Sequence, residues 1–397
     1  MPDAVIVDVV RTASGKGKPG GALSTTHPVD LLATVLEAVI ERNNLDPAVI
    51  DDVIGGCVTQ SGEQSINVTR SAVMAAGFPD AVPATTIDRQ CGSSQQAAHF
   101  AAQGVMAGVY DVVVACGVES MSRTKMYSSI QGRDPYGERL RTRFPNGPVS
   151  QGISAELVAQ RWGLHRDILD EFALRSHRRA AEATTFGLFD REVVPVDVHG
   201  SDGTVVRHRV DETVRPETTV DSLASLKPAF ADDPAAADFP EIDWRVTAGN
   251  SSPLTDGASA ALIMSEAKAT ALGLWPRARF HAFAVVGDDP VLMLTGIIPA
   301  TRIVLKRAGL TIDEIDAYEV NEAFASVPLA WRYEVNADLE RLNPRGGAIA
   351  LGHPLGASGT RLMATLLNTL ESTGGRYGLQ TICEGGGMAN ATIIERL

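Results

Sequence analysis

Aromatic residues, cysteines and long apolar runs are all scarce in this chain, and each shortage removes a class of protein. Phe, Trp and Tyr together make up 5% of 397 residues. A core of that size must then be filled by close packing of small side chains, and 37 glycines suit tight backbone contact and frequent turns. The four cysteines, Cys57, Cys91, Cys116 and Cys383, contain no C-x-x-C pair. That argues against a disulfide framework and against a zinc site, and for a reduced, cytoplasmic chain. No stretch stays apolar and uncharged over the roughly 20 residues that a membrane helix needs. Residues 1–10 read as a strand around Ala4-Val5-Ile6-Val7 rather than as a signal or transit peptide. Basic residues are outnumbered, the formal charge being −13, which argues against a general binder of nucleic acid or anionic membrane.

What is present is alternation. Hydrophobic residues make up 44% of the chain, enough for more than one core. Short apolar runs such as Asp111-Val112-Val113-Val114-Ala115-Cys116-Gly117 read as strands covered on both faces. They alternate with helical patterns over residues 28–43, 67–76 and, from the spacing of Ala97, Ala101 and Val105, after Cys91. The second half repeats the style, with strands expected over 279–286, 315–320, 378–383 and 391–395 and helices over 299–308 and 360–370. Two similar α/β domains with mixed sheets follow, covering about 1–268 and 269–397. A long excursion, about 122–245, leaves the first domain. Its opening, residues 122–148, carries Arg123, Lys125, Arg133, Arg139, Arg141 and Arg143 against Asp134 and Glu138 only. A cationic patch on an acidic protein suits a phosphorylated ligand; a solvated loop or a subunit contact is the plainer explanation for any single arginine. Residues 193–210 read as a hairpin-like pair of strands.

Three reactive side chains stand in unusual surroundings. Cys91 is expected in the first turn of a buried helix, where unpaired N–H groups and the dipole favour a thiolate, and Gly92 and Ser93 leave room for a substrate. Taken alone, it could equally be a small core hydrophobe. His353 lies in a glycine-punctuated loop, Gly346 to Gly359. Cys383 ends an apolar run and precedes Gly385-Gly386-Gly387, whose bare N–H groups suit an oxyanion. Asn321 and Glu322 are expected to open a helix, with Asn321 an ordinary N-cap. As a set, the residues supply a nucleophile, a base and a second acid/base.

The same segments resemble the thiolase family, the acetyl-CoA C-acyltransferases. The resemblance rests on Cys91-Gly92-Ser93-Ser94, Gly117-Val118-Glu119-Ser120-Met121-Ser122, Thr247-Ala248-Gly249-Asn250, Asn321-Glu322-Ala323-Phe324-Ala325, Gly352-His353-Pro354 and Cys383-Glu384-Gly385-Gly386-Gly387, in this order over nearly the whole chain. It implies a thiolase-like fold and cleavage of a 3-ketoacyl-CoA by CoA through an acyl-Cys91 intermediate. In that scheme His353 takes the proton of Cys91, and Cys383 is the second acid/base. Asn321 holds a water, and the N–H groups of Cys91 and Gly385 stabilise an oxyanion. Ser252 matches a pantetheine contact, and Arg123 and Arg133 lie on the loop that covers CoA and joins subunits. No metal or redox cofactor is implied, CoA being a substrate; the expected assembly is a homodimer or homotetramer. Where short-chain biosynthetic relatives carry His-Met-Gly, this chain has Ser150-Gln151-Gly152. That departure disfavours a strictly acetoacetyl-CoA enzyme, while the wording of residues 88–96 and 377–384 resembles degradative thiolases of actinobacterial type, which act on fatty or steroid-derived acyl groups. The alternatives are a biosynthetic acetoacetyl-CoA thiolase and a thiolase-like subunit that binds acyl chains without catalysis.

Overall fold

A computed structural model describes residues 3–200 and 203–397. Nine strands carry its main sheet: β1 (Ala4–Thr12), β2 (Asp52–Gly56), β3 (Ala84–Ile87), β4 (Val112–Ser120), β5 (Thr255–Ser265), β6 (Ala278–Gly287), β7 (Ala317–Val320), β8 (Tyr377–Glu384) and β9 (Met388–Arg396). Their order is β7-β8-β9-β6-β1-β5-β4-β2-β3, and two-residue strands, Gly15–Lys16 and Val193–Val194, attach beside β5 and β1. The apolar runs became strands because period-2 exposure is absent in them: β1, β4 and β5 are buried along their whole length, as strands covered on both faces must be.

The two halves share a plan. In the first, β1 is antiparallel to β5, β5 is antiparallel to β4, and β4 is parallel to β2. In the second, β6 is antiparallel to β9, β9 is antiparallel to β8, and β8 is parallel to β7. The halves meet through antiparallel β1–β6 pairing at Val5–Arg279 and Ile6–Ala278. A helix leads directly into each matching strand: Ser93–Met106 into β4, and Ser358–Thr373 into β8. These two helices share one core. Ala97, Ala101 and Val105 of the first pack with Met363, Leu366 and Leu370 of the second, between strand residues of both halves such as Val113 and Phe280. Small residues on the first helix are what permit the approach. A methyl group on Gly359 would collide with the backbone N of Gln95, so glycine is required there.

The halves differ at one connection. Between β8 and β9 the chain turns on Gly385, Gly386 and Gly387, the last two at φ +83° and +75°. Between the equivalent β4 and β5 it runs from residue 121 to 254. That insertion holds the helices Gln151–Arg161 and Arg166–Thr185. Strands Val196–His199 and Val205–His208 form the expected hairpin, whose residues 201–202, like residues 1–2, lie outside the described part.

One local expectation fails. Asn321 does not cap a helix: Asn321 to Ala325 follow β7 as buried irregular chain, and the helix starts at Ser326. The Asn321 N–H donates to Thr381 O of the neighbouring strand, and that of Ala325 to Asn250 O. Tertiary partners therefore satisfy a segment that propensity alone would have coiled. Among the described residues, no helix is long and apolar enough to cross a membrane.

Candidate active site

Because the two helices occupy equivalent places, the loops ahead of them end near one another, and those loops carry Cys91 and His353. Both side chains line one cavity of about 540 Å³. Ser252, Met121, Phe324 and Leu355 are also in its wall. Gln90, immediately before the cysteine, has φ +48°, a sparsely populated conformation for a residue with a side chain and typical of functional turns.

Cys91 itself is not in the helix. Gly92 is the N-cap and the helix begins at Ser93, so the sulfur stands just ahead of the first turn. Nor is its pKa depressed, as the helix-end reading expects. Burial first, and the Glu384 carboxyl second, push the thiol up to about 12, while a hydrogen bond from the Gln151 side chain works the other way. Removing a thiolate from water outweighs the attraction of one helix end. In the resting protein Cys91 is a thiol.

His353 is equally buried and uncharged. Desolvation first, then the positive charge of Arg361, lower its pKa to about 3. Its tautomer follows from its partners. Ser358 Oγ donates to Pro354 O (2.9 Å), which commits the hydroxyl proton. The 2.6 Å contact of His353 Nδ1 with Ser358 Oγ is therefore a donation from Nδ1–H. That leaves Nε2 bare, facing Asn321 Nδ2 at 3.3 Å. A neutral imidazole with an unprotonated Nε2 at the cavity is the form a general base needs. Asn321 Oδ1 is buried and has no protein partner.

Cys383, next to last in β8, is buried and is not in the wall of that cavity. Burial, then Cys91, then Glu384 hold its thiol well above the ordinary range; the two sulfurs are close enough to sense one another's charge. Gly385 lines an adjoining chamber of about 310 Å³, together with Gln90, Gln151, Phe144, Val291 and Met293. Gln90, Tyr127, Tyr136 and Gln151 border both spaces.

The basic residues singled out from sequence stand elsewhere. Arg123 forms a two-pronged ion pair with Glu63 (2.5 and 2.7 Å) and donates to Ser24 O, and it lines neither space. Arg133 is exposed, two residues from the cavity-lining Pro135. Three residues now visible at the site were not singled out for a role: Gln151, Ser358 and Glu384. Ser358 had a signal, a hydroxyl five residues after a loop histidine. Glu384 had none, because nothing in a strand-ending Glu tells that it will be buried without a partner.

Comparison with known proteins adds the following. The model of the thiolase N-terminal domain matches residues 4–267, and that of the thiolase C-terminal domain residues 274–396. The chain is 46% identical to the steroid 3-ketoacyl-CoA thiolase FadA6 of Mycobacterium tuberculosis, covering 100% of this chain and 95% of that protein. It is 45% identical to 3-ketoacyl-CoA thiolases of Serratia proteamaculans and of Pectobacterium carotovorum, over the full length of both partners.

Proposed function

The chain belongs to the thiolase family, and from that premise we propose that it cleaves 3-ketoacyl-CoA with CoA, in the degradation of fatty or steroid-type acyl chains. The observation that carries the reading is Cys91 and a bare His353 Nε2 on one cavity. Nε2 takes the Cys91 proton as the substrate arrives, and the thiolate attacks the keto carbon. The bond between that carbon and the α-carbon breaks, leaving an acyl-Cys91 thioester and an acetyl-CoA enolate. Cys383 protonates the enolate and then takes the proton of incoming CoA, whose thiolate displaces Cys91. Its thiol is restored by the proton held on His353. Asn321, with a water at its unpartnered Oδ1, and His353 serve the thioester oxygen; the N–H groups of Cys91 and Gly385 serve the acyl oxygen. Each such donor is worth about 3–4 kcal/mol. Ser252 meets pantetheine.

The departure at Gln151 and the chamber beside it support a degradative role. The 310 Å³ space adjoins the Cys91 cavity across Gln90 and Gln151, and an acetyl group alone would leave its Phe144, Val291 and Met293 uncovered. Larger acyl groups cover that apolar wall, which favours them by roughly 25 cal/mol per Å². We further propose a cytoplasmic enzyme with no cofactor besides its CoA substrates, assembled as a homodimer or homotetramer. The open edge of β3 and the exposed Ile66 and Met74 near it favour an assembly.

One experiment tests the whole. Mass spectrometry of intact protein after incubation with a panel of 3-ketoacyl-CoAs graded by length and bulk is expected to show one acyl group on Cys91. Yield should rise from acetoacetyl-CoA to bulkier members, and native spectra should show two or four copies. No adduct with any member sinks the catalytic reading; adducts with acetoacetyl-CoA alone sink the degradative one.

A further inference from the structure

Glu384 is the residue between Cys383 and the glycine turn, and the mechanism above does not use it. Its side chain is wholly buried, and both carboxyl oxygens lack a hydrogen-bond partner. The carboxyl lies against the nucleophile's own backbone, since a methyl group on Gly92 would collide with Oε1. It therefore sits beside the residue following Cys91 while being joined covalently to Cys383. The charged and titratable groups that face it are Arg89 and Asp88 on the segment leading to Cys91, and the two cysteines themselves. Arg89 does not pair with it: its Nη1 is directed at Met388 Sδ, 3.7 Å away.

A bare carboxylate in that position would be unpaired and desolvated, which is strongly unfavourable. It would also face two sulfurs that must each carry negative charge in turn. Keeping the proton removes the charge, and with it the larger part of both difficulties. We propose that Glu384 is a positioning residue that works as an uncharged acid, packing Gly92 and leaving Cys91 free to ionise, and that loss of its proton switches the nucleophile off. The carboxyl pKa is raised to about 9, by burial first with Asp88 adding and Arg89 opposing, so the acid form prevails at neutral pH. Above that value the sign reverses: an ionised Glu384 holds the Cys91 thiol up, and fewer thiolates form than the rising pH alone would give. This role rests on the thiolase reading only in that Cys91 is the nucleophile.

The test needs no substrate. The rate of Cys91 alkylation by iodoacetamide, read by peptide mass spectrometry from pH 7 to 10.5, is compared between the wild type and Glu384→Gln. Glutamine keeps the shape and cannot ionise. The two proteins should agree within about threefold at pH 7, and the variant should be at least about tenfold faster at pH 10. A tenfold difference already at pH 7 would mean that the carboxyl is ionised in the resting protein and would overturn the proposal. Equal rates at pH 10 would overturn it too, because the carboxyl would then not act on the sulfur. Should the glutamine variant fail to fold, Glu384→Met, also uncharged at every pH, takes its place under the same two criteria. An enzyme that proves inactive on every thioester leaves this measurement interpretable, so the two readings fail separately.

Discussion

At the scale of single residues, the site is governed by desolvation more than by any one dipole. A thiol pushed up to about 12 and an imidazole pushed down to about 3 make a neutral pair, stable until a substrate arrives to share the charge. What keeps that pair competent is orientation. Ser358 fixes which imidazole nitrogen is bare, so Ser358→Ala should let the proton wander to Nε2. We expect kcat to fall on the order of 10²-fold with KM nearly unchanged, since a misplaced proton forfeits base catalysis but not binding; equal kcat in variant and wild type would show that the tautomer is set otherwise. The cysteines and the histidine were readable in sequence because glycines and small residues mark them. The direction of the Cys91 shift was not, because it depends first on burial, to which the distant half of the chain contributes. For Arg123 a positive charge was visible in sequence, but its ion-pair partner, Glu63, was not.

At the scale of elements, two helices bring Cys91 and His353 to one cavity. Every residue from Ser358 to Leu370 is buried, and the helix extends beyond the expected 360–370 at both ends. Two of its polar members are bonded inside: Thr360 Oγ1 to Ser259 Oγ (2.5 Å), and Asn368 Nδ2 to Ala364 O (2.8 Å). The close crossing at Gly359 is the sensitive point. Gly359→Ala should force the helices apart, costing about 1–3 kcal/mol, seen as a lower denaturation midpoint. Turnover should fall with it, because the His353 loop rides on the same helix. Unchanged stability would mean that the backbone yields there without strain. The Asn321 segment teaches the complementary lesson. Its strand–Asn–Glu pattern fits a capped helix, yet Thr381 and Asn250, distant in sequence, decide its shape.

At the scale of the whole molecule, buried titratable groups pull stability in two directions. His99 and His353, at about 3, and His177, at about 4, are held below the ordinary 6.5 by burial. Between those values the unfolded chain binds more protons, so stability drops as pH falls below 6.5. Glu319 and Glu384, at about 8 and about 9, are raised from 4.5, by burial first. There the folded chain binds more protons, and stability drops as pH rises from 4.5 toward 9. Above 6.5 only the second slope persists, so the urea midpoint should decline from pH 7 to 9, and Glu319→Gln should flatten the decline; a midpoint that rises over that range would contradict it. The doubled α/β plan was legible as a repetition of style, since strand and helix signals recur in both halves. The joining of the two sheets through β1 and β6, and the matching of one insertion to one three-glycine turn, were not, because strand pairing leaves no local mark. That division of labour between the halves has a consequence for a chain being made. Synthesis delivers the sulfur long before the imidazole and the second thiol, so the three groups can come together only when nearly the whole chain has been made.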